Sequence, residues 1–143
     1  MHLSKAISLL HRKMNTELNV RLMEIGLSNG QSRMLKHLYD NGEMTQVKLC
    51  KELELDKSTV AKALARMERN GFVAKRINPE NTRSFLVSLT PKATQIVPKT
   101  REVLSGWTED VTSDFSETEK ELLYELLHKA AHKATAICNN GRP

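Results

Sequence analysis

The residues of this chain best suited to chemistry are hydroxyls and cations carried at helical spacing. Within DKSTVAKALARMERNG, residues 56–71, Ser58, Thr59, Lys62, Arg66 and Arg69 fall on one side of a helix. Val60, Leu64 and Met67 recur at three- and four-residue intervals and mark the side that faces a core. Such a polar face holds no nucleophile beside a base. What it can do is donate hydrogen bonds and neutralise negative charge, which suits the major groove of a duplex: hydroxyls and Lys reach base edges while the remaining cations meet phosphates.

A second set follows directly. FVAKRI and FLVSLT, residues 72–77 and 85–90, alternate in strand fashion, and the seven residues NPENTRS join them, more than a two-residue hairpin turn requires. The expectation is a projecting loop that carries Arg83 toward a minor groove, where a guanidinium is favoured by the negative potential, with Thr82 and Ser84 beside it as phosphate donors.

These groups need elements to hold them, and local chemistry marks the boundaries. Asp56 can accept from the free N–H groups of a first helical turn, and Gly71 stands where a left-handed residue closes the helix. Ser28 with Gln31 and Ser116 with Glu119 are capping-box patterns, and Thr90-Pro91 supplies a cap followed by Pro at the first helical position. The reading is helices over 3–25, 29–41, 46–53, 57–70, 91–112 and 117–138, with strands over 72–77 and 85–90. Pro98 falls inside the fifth helix and is expected to kink or interrupt it. The fold class is mainly α with a small β-wing, a winged helix-turn-helix lobe.

At this point the residues resemble the MarR family of bacterial transcription regulators. LCKELELDKSTVAKALARMERNGFVAKR, residues 49–76, looks like its helix-turn-helix, and NTRSFLVSLT, residues 81–90, looks like its wing signature, Asp-x-Arg followed closely by Leu-Thr. Asn81 stands where the family usually has Asp, so any bracing of Arg83 by Asn81 would be a neutral hydrogen bond, weaker than a charge-assisted one. The DNA-binding set expected is Thr45, Gln46, Lys57, Ser58, Thr59, Lys62, Arg66, Arg76, Thr82, Arg83 and Ser84. The resemblance implies one domain over 1–143, with 28–90 as the DNA-binding lobe and 1–27 and 91–143 as dimerisation helices. It further implies a pseudo-palindromic operator, repression as the common mode, and release by a small phenolic or anionic effector bound between the dimerisation helices and the lobes.

Charge and apolar patterning agree with that reading. Residues 45–83 hold nine Lys or Arg against five Asp or Glu, so most of the net charge of +5 lies in the segment assigned to DNA. Leu3, Ile7, Leu10, Met14, Leu18 and Ile25 stripe the first helix, and Leu122, Leu123, Leu126, Leu127, Ala130, Ala134 and Ile137 stripe the last. That is more apolar surface than one small lobe easily covers, and a homodimer would bury it. Two-fold symmetry would then set two recognition helices about one DNA turn apart, ~34 Å.

Other functions find little support. There is no nucleophile elbow, phosphate-cradling glycine loop or HExxH pattern, so no enzyme, cofactor or metal is expected. His128 and His132 stand four apart on one helix face and read as surface residues beside the dimer contact rather than ligands. Cys50 reads as a buried structural thiol. Relatives that sense peroxides use a cysteine of the N-terminal helix, and the first helix here has none. No apolar run approaches the ~20 residues needed to span a membrane, and MHLSKAISLLHRKM interleaves polar residues where a signal peptide would not, so a cytoplasmic protein is expected. A winged-helix protein-interaction module without specific DNA binding is the alternative.

Overall fold

The computed structural model describes residues 1–141 and contains, among them, six helices and a three-stranded antiparallel sheet. In chain order these are α1 (Leu3–Met23), α2 (Asn29–Asn41), β1 (Met44–Thr45), α3 (Gln46–Leu53), α4 (Lys57–Arg69), β2 (Val73–Asn78), β3 (Asn81–Leu89), α5 (Pro91–Val111) and α6 (Glu117–Asn140). They form two compact units, one ending at Trp107 and one beginning at Thr108.

The first unit owns the hydrophobic core. Leu18 and Leu22 of α1, Met34, Leu35 and Leu38 of α2, Leu49 of α3, and Val60, Leu64 and Met67 of α4 are buried together with Phe72, Val73, Val87, Ala93 and Val97. With few aromatics, the volume is filled by Leu, Val and Met, whose flexible or branched side chains interdigitate without polar atoms to satisfy. The expected capping box at α2 is complete. The Gln31 N–H donates to Ser28 Oγ at 3.2 Å and the Ser28 N–H donates to Gln31 Oε1 at 3.1 Å. The polar layer beneath it is also satisfied: buried Asn29 donates its N–H to Asn19 Oδ1 and its Nδ2 to Asn15 Oδ1, tying α2 to α1.

The sheet departs from expectation in two ways. Its order is β1-β3-β2, and β1 pairs Met44 with Val87 and Thr45 with Leu86, a two-residue edge that strand periodicity is too short to reveal. The wing connection is also tighter than the seven-residue loop expected. Asn78 pairs with Asn81, which leaves only Pro79 and Glu80 in the turn, and the register slips between Ile77 and Asn78. Because Ile77 already pairs with Phe85, residues 82–84 are the surplus on β3 and bulge from the ladder. Pro98 lies within α5, as expected, and the helix runs on through it to Val111. The first helix stops at Met23, short of 25, and the chain reverses through Gly26 at φ +79°.

The turn between α3 and α4 contains the one non-glycine residue at positive φ among the described residues, Glu54, at +54°. Its own N–H and that of Leu55 return to the Lys51 and Cys50 carbonyls at 3.3 and 3.1 Å, closing α3. An L-residue in this region costs about 1 kcal/mol. Glu54→Gly is therefore expected to raise stability by up to about that amount, read as a higher urea midpoint with an unchanged slope.

In the second unit, α6 opens on a complete capping box: the Glu119 N–H donates to Ser116 Oγ, and the Ser116 N–H donates to Glu119 Oε2 at 2.8 Å. None of its residues is buried, and Leu122, Leu126, Leu127 and Ile137 are all exposed. Among the described residues no helix is long and apolar enough to cross a membrane.

Candidate nucleic-acid interface

The helix-turn-helix is built from α3 and α4. Asp56 caps α4, accepting the Thr59 N–H at 2.9 Å and the Thr59 hydroxyl as well. These bonds from Thr59 hold the Asp56 carboxyl below the usual carboxylate range, so it stays ionised at the positive end of the helix dipole. At the other end Gly71 takes φ +78°, the Gly71 N–H returns to Glu68 O at 3.0 Å, and the Phe72 N–H returns to Met67 O at 2.8 Å. This double closure fixes where α4 hands over to the wing. Val60, Leu64 and Met67 are fully buried, which turns Lys57, Ser58, Lys62, Arg66 and Arg69 outward.

The structure sorts the expected site residues by what their side chains are already doing. Lys57, Ser58, Lys62 and Arg66 on α4, Gln46 at the start of α3, and Thr82 and Arg83 in the wing bulge have no side-chain hydrogen bond or ion pair among the described residues. Thr45 is occupied as the cap of α3, accepting the Lys48 N–H at 3.1 Å. The Thr59 hydroxyl is spent on Asp56. Ser84, expected as a phosphate donor, gives its hydroxyl to Asn81 O at 3.0 Å and accepts Asn78 Nδ2 at 3.2 Å, so it organises the wing from inside.

Arg76 is clamped. Its Nε and Nη2 reach the two carboxylate oxygens of Glu43 at 3.0 and 2.6 Å, a bidentate pair across 33 residues that no local pattern announces. The hydrogen bond and charge of Arg76 lower the Glu43 carboxyl below its ordinary value. A depressed carboxyl contributes stability above its unfolded value, and that contribution is lost as pH falls through the folded one. The pair is largely solvent-facing, so the energy is small. In an NMR titration the Glu43 side-chain carbon is expected to turn over below the ordinary carboxylate range, and Arg76→Ala should return it to that range.

Asn81 also acts differently from the expected brace. Its Oδ1 accepts the backbone N–H of Arg83 at 3.2 Å, shaping the bulge and leaving the guanidinium free. Cys50, expected to be buried, is half-buried, and Cys138 is exposed. His128 and His132 are exposed, and no cluster of metal-ligating side chains occurs among the described residues.

This geometry agrees with what the chain is similar to. A model described as the MarR family matches residues 27–85, which span α2 through the bulge of β3. A Bacillus subtilis (strain 168) protein named as an uncharacterized HTH-type transcriptional regulator, YwoH, is 30% identical over 120 residues, covering 84% of this chain and 87% of its own length. The chain belongs to the MarR family. It is a transcriptional regulator with a winged-helix DNA-binding fold, and the proteins it matches are regulators rather than enzymes. Among solved structures, a MarR transcriptional regulator from Methanosarcina mazei Go1 superposes with a TM-score of 0.88 at 27% identity, covering 94% of this chain and 97% of that one. A cysteine-to-serine mutant of MarR from E. coli, complexed with operator DNA, superposes with a TM-score of 0.80 at 25% identity, covering 90% and 92%.

Proposed function

We propose that this MarR-family chain is a cytoplasmic homodimer that represses transcription from a pseudo-palindromic operator and is released by a small phenolic or anionic effector. The observation that carries the DNA reading is the row of unpartnered donors, Lys57, Ser58, Lys62 and Arg66, on the solvent face of α4. Beside it the bulge presents Arg83, with no ion partner among the described residues. Groups left unpaired where neighbouring hydroxyls and carboxylates are satisfied suit a ligand rather than the fold. In this reading residues 28–90 are the DNA-binding lobe, and 1–27 with 91–143 supply dimerisation. Gln46, Thr45, Thr82 and Arg76 complete the DNA-binding set in this reading. Thr59 and Ser84 belong to it through the caps and turns they hold.

A cavity of about 300 Å³ at the end of α1 suits an effector. Asn19, Met23, Leu27, Ser28 and Gln31 line it together with Arg66 of α4, so an anion there would draw on a cation otherwise available to DNA. The effector need only favour the arrangement that cannot bind DNA by ~1 to 3 kcal/mol.

Footprinting on the DNA upstream of the chain's own gene, followed by anisotropy titrations across a salt series, tests the reading. Affinity should fall steeply with salt and favour one sequence by orders of magnitude. Lys62→Ala should weaken binding, and Ser58→Ala should relax discrimination at one base pair by ~1 to 3 kcal/mol. Both variants binding with wild-type strength and selectivity would remove α4 from the groove.

A further inference from the structure

The pair between Glu43 and Arg76 does more than neutralise two charges, because of where it lies in the sheet. β3 is the central strand, and its Leu86 pairs with Arg76 of β2 on one side and with Thr45 of β1 on the other. Residues opposite one another in a ladder carry their side chains on one face, and Glu43, two residues before Thr45, shares that face. Glu43, Thr45, Arg76 and Leu86 accordingly line one groove. The Arg76 guanidinium thus crosses the central strand at Leu86 and closes on both Glu43 carboxylate oxygens, at 3.0 and 2.6 Å. The body of the lobe has little other hold on the wing at this level. β1 contributes two residue pairs, and among the described residues no other residue of β2 or β3 makes an ion pair. The clamp is charged across the neutral range, because the hydrogen bond and charge of Arg76 keep the Glu43 carboxyl below its ordinary value. Arg83 stands three residues beyond Leu86, up to ~10 Å at ~3.3 Å per residue, so a tilt of ~10° about that row would carry it ~2 Å. Recognition contacts need placement to about 0.5 Å.

We propose that Glu43 is a positioning residue for DNA binding: it anchors Arg76 across β3 and so holds the wing, with Arg83, at a fixed angle to α4. Arg suits this task because its planar fork meets a carboxylate through two parallel bonds, which fix direction as well as distance. The segment that supplies Glu43 also supplies Thr45, the cap of α3, so the wing and the helix-turn-helix are set against the same three residues. The inference rests on the DNA reading above and gives Arg76 its part in it. Arg76 serves recognition through the placement of the wing, with its own charge held by Glu43 and away from phosphate.

The test uses the full chain. Amide residual dipolar couplings, measured without DNA, compare the wing with α4. In the wild type both should fit one alignment, whereas in Glu43→Gln the couplings of residues 77–85 should shrink relative to those of α4. Both side chains of the pair are exposed, so melting temperature should stay near wild type. On a mapped operator Glu43→Gln and Arg76→Gln should each lower affinity about fivefold, although one variant adds net positive charge and the other removes it. The exchange of Glu43→Arg with Arg76→Glu restores the pair with its polarity reversed and should recover affinity to within about twofold of wild type. In an Arg83→Ala background Glu43→Gln should cost nothing further, because the clamp acts through Arg83. The proposal is overturned if the wing couplings are unchanged in Glu43→Gln, if the exchange binds no better than either single variant, or if the losses in Glu43→Gln and Arg83→Ala simply add. It is also overturned if Glu43→Gln tightens binding while Arg76→Gln lowers the salt slope by about one unit, since Arg76 would then be a phosphate contact that Glu43 restrains. A wing loosened by Glu43→Gln in a chain that binds no DNA would uphold the clamp and remove the DNA reading.

Discussion

Replacing Leu10 and Leu126 together by Glu is expected to convert the proposed dimer into folded monomers. Within one chain these side chains are already 42% and 53% exposed, so a charge at either position costs the chain's own fold little. The neighbours along each helix are equally uncovered, Leu3 and Ile7 on α1, Leu122, Leu127 and Ile137 on α6. A monomer does not ordinarily leave such stripes in water, and a symmetric partner would cover them. At that interface the same substitutions would bury unpaired carboxylates, a cost of several kcal/mol per subunit. Sedimentation velocity should show the mass of one chain, and circular dichroism should show helix content close to wild type. Operator affinity should drop with it, because two half-sites are no longer held at one DNA turn. A folded dimer that still binds DNA would place the interface elsewhere.

The parts of this fold that could be read in advance are those fixed by chemistry within one or two helical turns. Asp56, Ser28, Ser116 and Thr90 each bond to a backbone group three residues on, so a cap can be recognised from four letters of sequence. The burial of Val60, Leu64 and Met67 follows from spacing alone, and with it the direction in which Lys62 and Arg66 point. The family match over 27–85 therefore falls on the stretch where local signals were densest.

What escaped was set by partners far along the chain or by geometry that composition hides. β1 is two residues whose only reason to extend is β3, and the partner of Arg76, Glu43, lies before the whole helix-turn-helix, where no local pattern announces it. The sequence points to a loop there because NPENTRS joins two runs that alternate in strand fashion. Three of those residues instead form a bulge, with the Asn78 and Asn81 amides satisfying the turn through Glu80 N–H and Arg83 N–H. Thr59 and Ser84 show the same limit at a finer scale. A hydroxyl on the correct face is not a hydroxyl available to a ligand, and only its hydrogen-bond partner decides.

The wing carries the other large expected effect: Arg83→Ala should lower operator affinity at least tenfold, ~1.4 kcal/mol. Projection of Arg83 requires no long loop. A two-residue turn makes the wing stiff, and the bulge at residues 82–84 is what turns Arg83 out of the ladder. Among the described residues its guanidinium meets no carboxylate, Glu80 included, so its charge is unspent there. Inserted beside a narrow minor groove it would release about one counterion, and its loss should reduce the slope of log affinity against log salt by about one unit. Melting temperature should stay near wild type, because only the Arg83 backbone is tied into the fold. Asn81→Asp separates shape from charge. A carboxylate keeps an acceptor for the Arg83 N–H and strengthens that bond, but it also brings a negative charge toward phosphate. Since Asn81 holds backbone rather than guanidinium, the two effects should nearly cancel, with affinity within a few-fold of wild type. If Arg83→Ala leaves both affinity and salt slope unchanged on a mapped operator, the wing makes no contact with DNA and recognition rests on α4 alone.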